Sequence, residues 1–143
     1  MNTTTDLTRN PAERDETTRQ DVVAALHGSW RGRLNDALGE PESFNLECEH
    51  RDHQVPGQVC LFTTPAGIVA GVRLLEAGER AFVALIGPYF DPVEGTMVVT
   101  VLEGICEPGQ LSGAFHTQRY SWRDTLRRGQ FTATRVEQIS RAA

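Results

Sequence analysis

Phe44-Asn45-Leu46-Glu47-Cys48-Glu49-His50 alternates apolar and polar residues without a break, apart from the histidine that ends it. Successive side chains of a strand point to opposite faces. Phe44, Leu46, Cys48 and His50 therefore share one side, and Asn45, Glu47 and Glu49 share the other. Such a segment puts one face in a core and the other in water.

The same period of two runs outward from this stretch, from Ser29 almost to the C-terminus. Eight segments follow it, near 29–35, 43–51, 58–64, 67–76, 80–87, 96–103, 110–118 and 129–136. Pro56-Gly57, Pro65-Ala66-Gly67, Ala77-Gly78 and Pro108-Gly109 supply turn chemistry between them. These connections are too short for parallel crossovers, so neighbours pair antiparallel. A sandwich and a closed meander barrel both satisfy this pattern. Closure removes both exposed edges, so the fold expected is all-β, an eight-stranded antiparallel up-and-down barrel. Residues 1–16 are polar and have little to bury, which predicts a disordered tail. Residues 17–143 then form a single domain that opens with a short helix over 17–27. Val22, Val23 and Leu26 share a face of that helix, Thr17 or Thr18 caps its start, and Gly28 suits its end.

A chain of 143 residues can bury a core without staples. The net charge of −5 argues against nucleic acid, because phosphate neutralisation needs a basic face. It favours no anionic membrane surface either. No apolar run is long enough to span a bilayer, and the N-terminus lacks the apolar core of a signal peptide. Cys48, Cys60 and Cys106 are odd in number and widely spaced. They read as three reduced, buried thiols, which predicts a cytoplasmic protein. All fourteen basic residues are arginine, a composition associated with GC-rich bacterial genomes.

The first strand opens Gly28-Ser29-Trp30-Arg31-Gly32, and the last carries Phe131-Thr132-Ala133-Thr134-Arg135. A Gly-x-Trp at the start and a late arginine at the end resemble the calycin superfamily of lipocalins, avidins and nitrobindin-like barrels. The resemblance implies that Arg135 packs over Trp30 and ties one end of the barrel shut. Arg135 shares a face with Phe131 and Ala133, and a buried guanidinium needs such partners. Trp30 and Arg135 therefore read as structural. The segment Tyr120-Ser121-Trp122-Arg123-Asp124 is similar to the avidin loop that brings a tryptophan to the ligand. The first-strand position that holds biotin in avidins is Gly32 here, so the resemblance does not extend to biotin.

In a meander barrel, the loops after strands 1, 3, 5 and 7 share one end. They collect Tyr89, Phe90, Asp91, Glu94, Tyr120, Trp122, Arg123 and Asp124. Aromatics beside a few polar groups suit a small-molecule mouth. Tyr89, Phe90, Tyr120 and Trp122, with Phe62 below them, are the expected ligand-binding residues. His116, Asp91 and His50 are the candidate proton-transfer residues. His116 alternates with Phe115, so it faces solvent if Phe115 faces in. His50, Asp52 and His53 are close in sequence, but no further ligand supports a metal site. No phosphate loop, dinucleotide fingerprint or nucleophile elbow is present, and no cofactor is expected.

Three functions stay open. The first is a barrel that binds a small hydrophobic or aromatic molecule in its cavity. The second is a cofactor-free cyclase or isomerase that folds a reactive bacterial metabolite in the cavity. The third is a structural or partner-binding module with a filled core. A homodimer is compatible with each.

Overall fold

The computed structural model describes residues 20–48, 57–121 and 124–136. The strands are β1 (Gly28–Asp36), β2 (Glu42–Cys48), β3 (Gln58–Thr63), β4 (Val69–Ala77), β5 (Ala81–Asp91), β6 (Thr96–Glu107), β7 (Gln110–Arg119) and β8 (Thr125–Arg135). Each pairs antiparallel with the next, and β8 returns to β1 to close the barrel. The fold is the eight-stranded meander barrel that the period-two pattern predicts. A helix over residues 20–26 precedes it. The expected tail, the first residues of the expected helix and His50 lie outside the described residues.

Strand parity fills the interior with large side chains. Trp30, Phe44, Phe62, Phe131, Ile86, Leu102 and Leu111 are all fully buried. Phe44 stacks on Phe62 with centroids 5.4 Å apart, and Phe82 meets Phe131 edge-on at 6.4 Å. Gly32 sits under the Phe44 ring, and a Cβ there would run into that ring. The residue that breaks the avidin pattern is thus the one that makes room for an aromatic.

One end of the barrel is clasped. Val22 and Leu26, one helical turn apart, are buried and plug the opening. The last carbonyls of a helix lack intrahelical partners and carry partial negative charge. Here Trp30 Nε1 donates to the Leu26 carbonyl at 2.8 Å. Arg135 donates to the carbonyls of His27 and Ala25, the latter at 2.9 Å. Its guanidinium carbon lies 4.4 Å from the centroid of the Trp30 ring. In the ladder Trp30 stands directly opposite Arg135, so the clasp sits on the seam that closes the barrel.

The cysteines correct the sequence reading. Cys48 and Cys60 form a disulfide, and Cys106 alone is free and buried. The register Leu46↔Phe62 and Glu47↔Leu61 sets Cys48 opposite Cys60 on the same face. Their Cα atoms are 4.1 Å apart. The twelve-residue separation carries no sign of this, because pairing depends on the hairpin register. The bond also removes the thiol argument for a cytoplasmic location. No helix among the described residues is long and apolar enough to cross a membrane.

Replacing Arg135 with alanine strips two helix carbonyls and the Trp30 face of their partner. Urea denaturation should show a loss of about 2–4 kcal/mol. The exposed outer-face substitution Arg33→Ala should cost under about 0.5 kcal/mol. Equal effects from the two would contradict the clasp.

Candidate functional site

The open end gathers the loops after β1, β3, β5 and β7, and a bulge in β5 decides what faces into it. The ladder with β6 runs Ile86↔Thr100 and then Tyr89↔Val98, so β5 advances by one residue more than its partner. Gly87 has φ 106°, a conformation that other L-residues rarely adopt. The extra residue flips the alternation. Phe82, Ala84 and Ile86 face in before the bulge, and Tyr89 and Asp91 face in after it. Phe90, expected at the ligand site, is turned to the outer face and is 56% exposed. The period-two pattern ends this strand near residue 87 and leaves 88–95 as loop, whereas β5 runs on to Asp91. Tyr89 therefore lies inside the barrel wall rather than on its rim.

A line of hydroxyls crosses the interior from Tyr89. Its phenol oxygen is 2.9 Å from Thr100 Oγ1, which is 2.7 Å from Thr117 Oγ1. All three residues are buried, so each hydroxyl satisfies the next. Phe62 stacks on the Tyr89 ring at 6.1 Å. Burial pushes the Tyr89 phenol above its ordinary pKa, aided by the Asp91 and Glu42 charges and opposed by the Thr100 hydrogen bond and Arg127.

Arg127 is the site residue that sequence reading missed. Strand β8 begins at Thr125, ahead of the expected start at 129. The parity that turns Phe131 and Ala133 inward also turns Arg127 inward, to the mouth. Its Nη2 lies 2.6 Å from Asp91 Oδ2, and its Nη1 lies 3.5 Å from Glu42 Oε1. Asp91 is fully engaged on its other oxygen too. Oδ1 accepts the backbone amides of Val93 at 2.9 Å and Glu94 at 3.3 Å, which fixes the β5–β6 turn. Burial lowers the Arg127 pKa, but Glu42 and Asp91 more than offset this and leave it raised.

Two hollows adjoin at this end. One, of about 350 Å³, has Leu34, Phe115 and Leu126 as apolar lining beside Arg127. Asp36, Glu40, Glu42 and Glu94 also line it. The other, of about 240 Å³, lies between the β3–β4 and β5–β6 loops and is lined by Pro65, Ile68, Pro92 and Asp91. Glu42 and Val93 border both. A larger groove of about 760 Å³ runs over the outside of β4 to β7, past Leu75, Val83, Glu103 and Ile105. It is more open to solvent than either hollow, and none of the buried polar residues described above lines it.

The other expected residues scatter. Phe62 is buried in the interior below the mouth. Tyr120 is 56% exposed in the β7–β8 turn, its amide bonded to the Met97 carbonyl at 3.0 Å. His116 lies between buried Phe115 and buried Thr117, which turns its side chain to the outer face, away from Asp91. Trp122 and His50 lie outside the described residues. The structure brings together Tyr89, Asp91 and Phe62 of the expected set, and it adds Arg127, Glu42, Thr100 and Thr117.

No protein-family model and no curated protein matches the chain. Solved structures do. A redesigned β-barrel, mFAP1, bound to DFHBI, superposes with a TM-score of 0.52 at 12% identity, over 80% of this chain and 98% of that one. EF1p2_mFAP2b bound to DFHBI gives 0.56 at 15% identity, over 80% and 97%. A further redesigned barrel gives 0.53 at 15%, over 81% and 96%. Likeness at this identity establishes the shared eight-stranded barrel.

Arg127→Met leaves the buried Asp91 carboxylate without its cation and should cost about 3–5 kcal/mol. The double variant Asp91→Asn, Arg127→Met should cost much less than the two single changes added together, as read by urea denaturation. Additive costs would show that the two side chains do not act as a pair.

Proposed function

We propose that the protein is a calycin-type barrel that binds a small hydrophobic or aromatic molecule at its open end. The deep interior is filled, as the structural reading expects, so the ligand reading is carried by the pair of adjoining hollows above that core, floored by Leu34, Phe115 and Leu126. A cavity with an apolar floor and a few fixed polar groups is the ordinary form of a ligand site. The Asp91–Arg127 pair holds the wall and turn rigid without ligand. The Trp30–Arg135 clasp at the opposite end favours the calycin relation. The barrels of similar fold that hold DFHBI, a small aromatic dye, support a ligand in this architecture. Catalysis gains less support. Asp91 is committed on both oxygens, and His116 faces outward.

The test is a fluorescence titration with N-phenyl-1-naphthylamine, a neutral apolar probe. Leu126→Trp and Val93→Trp fill the mouth and should weaken binding about tenfold or more, which is about 1.4 kcal/mol. Ile105→Trp, in the outer groove, should leave it unchanged. The reverse pattern, or no binding to the unaltered protein, would overturn the proposal.

A further inference from the structure

The charge around the mouth narrows the class of ligand, on the reading that the mouth is the binding site. Among the described lining residues of the two hollows, Arg127 is the only cation, and Asp36, Glu40, Glu42, Asp91 and Glu94 are the anions. Arg127 is already paired on both terminal nitrogens. One of its terminal nitrogens is held by Asp91 at 2.6 Å, and the other faces Glu42 at 3.5 Å. Asp91 is already matched by that guanidinium and by two backbone amides. Asp36, half-buried at the end of β1, accepts the Leu38 amide at 3.0 Å. Glu40 and Glu94 form no ion pair among the described residues, and both border the larger hollow.

Arg127 also reports the field at this spot. Its guanidinium loses water on burial, yet its positive form is favoured over that of a free arginine, because Glu42 and Asp91 outweigh the loss. A second cation beside it would feel Glu40, Glu42 and Glu94, while its body covers Leu34, Phe115 and Leu126. A carboxylate or phosphate in the same place would meet uncompensated like charge.

We propose that the mouth selects a positively charged amphiphile: an amine, amidine or quaternary ammonium carried on a small aromatic or aliphatic body. Leu34, Phe115 and Leu126 receive the body, and Glu40, Glu42 and Glu94 receive the charge. The arrangement separates the two halves of the ligand, since the apolar residues lie on the strands and the wall while Glu40 and Glu94 lie in the rim loops.

Three probes of nearly one shape test this by calorimetric titration of the full chain at low salt: 1-naphthylmethylamine, 1-naphthylmethanol and 1-naphthylacetate. The amine should bind about tenfold or more tighter than the acetate, with the alcohol between them. That preference should shrink at high salt, because charges at a solvent-open mouth are screened. In Glu40→Gln, Glu94→Gln it should collapse. If the alcohol binds and the amine is no better than the acetate, the charge selection is wrong and the mouth site stands. A preference unchanged in the double variant would likewise overturn the assignment to Glu40 and Glu94. If none of the three probes binds, the mouth is not a site, and this inference falls with it.

Discussion

The pairing of β8 with β1 turns eight strands into a sheet with no edge, and every interior position inherits its meaning from that closure. The seam runs from Trp30↔Arg135 at one end to Asp36↔Gly129 at the other. At the first end the guanidinium of Arg135 ties three elements together: the last strand, the first-strand tryptophan and the carbonyls of the preceding helix. The helix thereby becomes a lid, with Val22 and Leu26 pressed into the opening. Among the described residues the helix covers that end, and the two hollows lie at the other.

Polarity along the barrel axis follows from the same closure. The clasped end and the middle are packed with aromatic and aliphatic side chains. The hydroxyl line of Tyr89, Thr100 and Thr117 brings polar groups into the interior, and the Asp91–Arg127–Glu42 charges lie at the mouth. Each buried polar group in this series has a partner from another strand. Such cross-strand partners hold the wall in one register, which gives the mouth a fixed shape. The shape is small: the hollows occupy only the open end, and the bulky core excludes the deep chalice of a larger barrel.

Much of this fold is legible in the sequence because strand parity is a local signal. Phe44, Leu46 and Cys48 face inward as their alternation requires, and Arg135 sits where the parity of Phe131 and Ala133 puts it. Parity fails at Tyr89, because a bulge resets the count and a bulge is set by the neighbouring strand as much as by its own residues. It fails for Phe90 for the same reason. Arg127 was within reach of the parity rule, but Thr125, Arg127 and Arg128 make the start of β8 look like loop. The disulfide and the mouth hollows depend on distances between elements remote in sequence, which no local pattern encodes.

A crystal of the protein soaked with 6-bromo-2-naphthol, with data collected at the bromine absorption edge, tests the location of the site most directly. A single strong anomalous peak is expected at the open end, among Leu34, Val93, Phe115 and Leu126, with the Trp30–Arg135 end unaltered. A peak confined to the outer groove beside Leu75 and Ile105, or no peak in an otherwise open mouth, would contradict it.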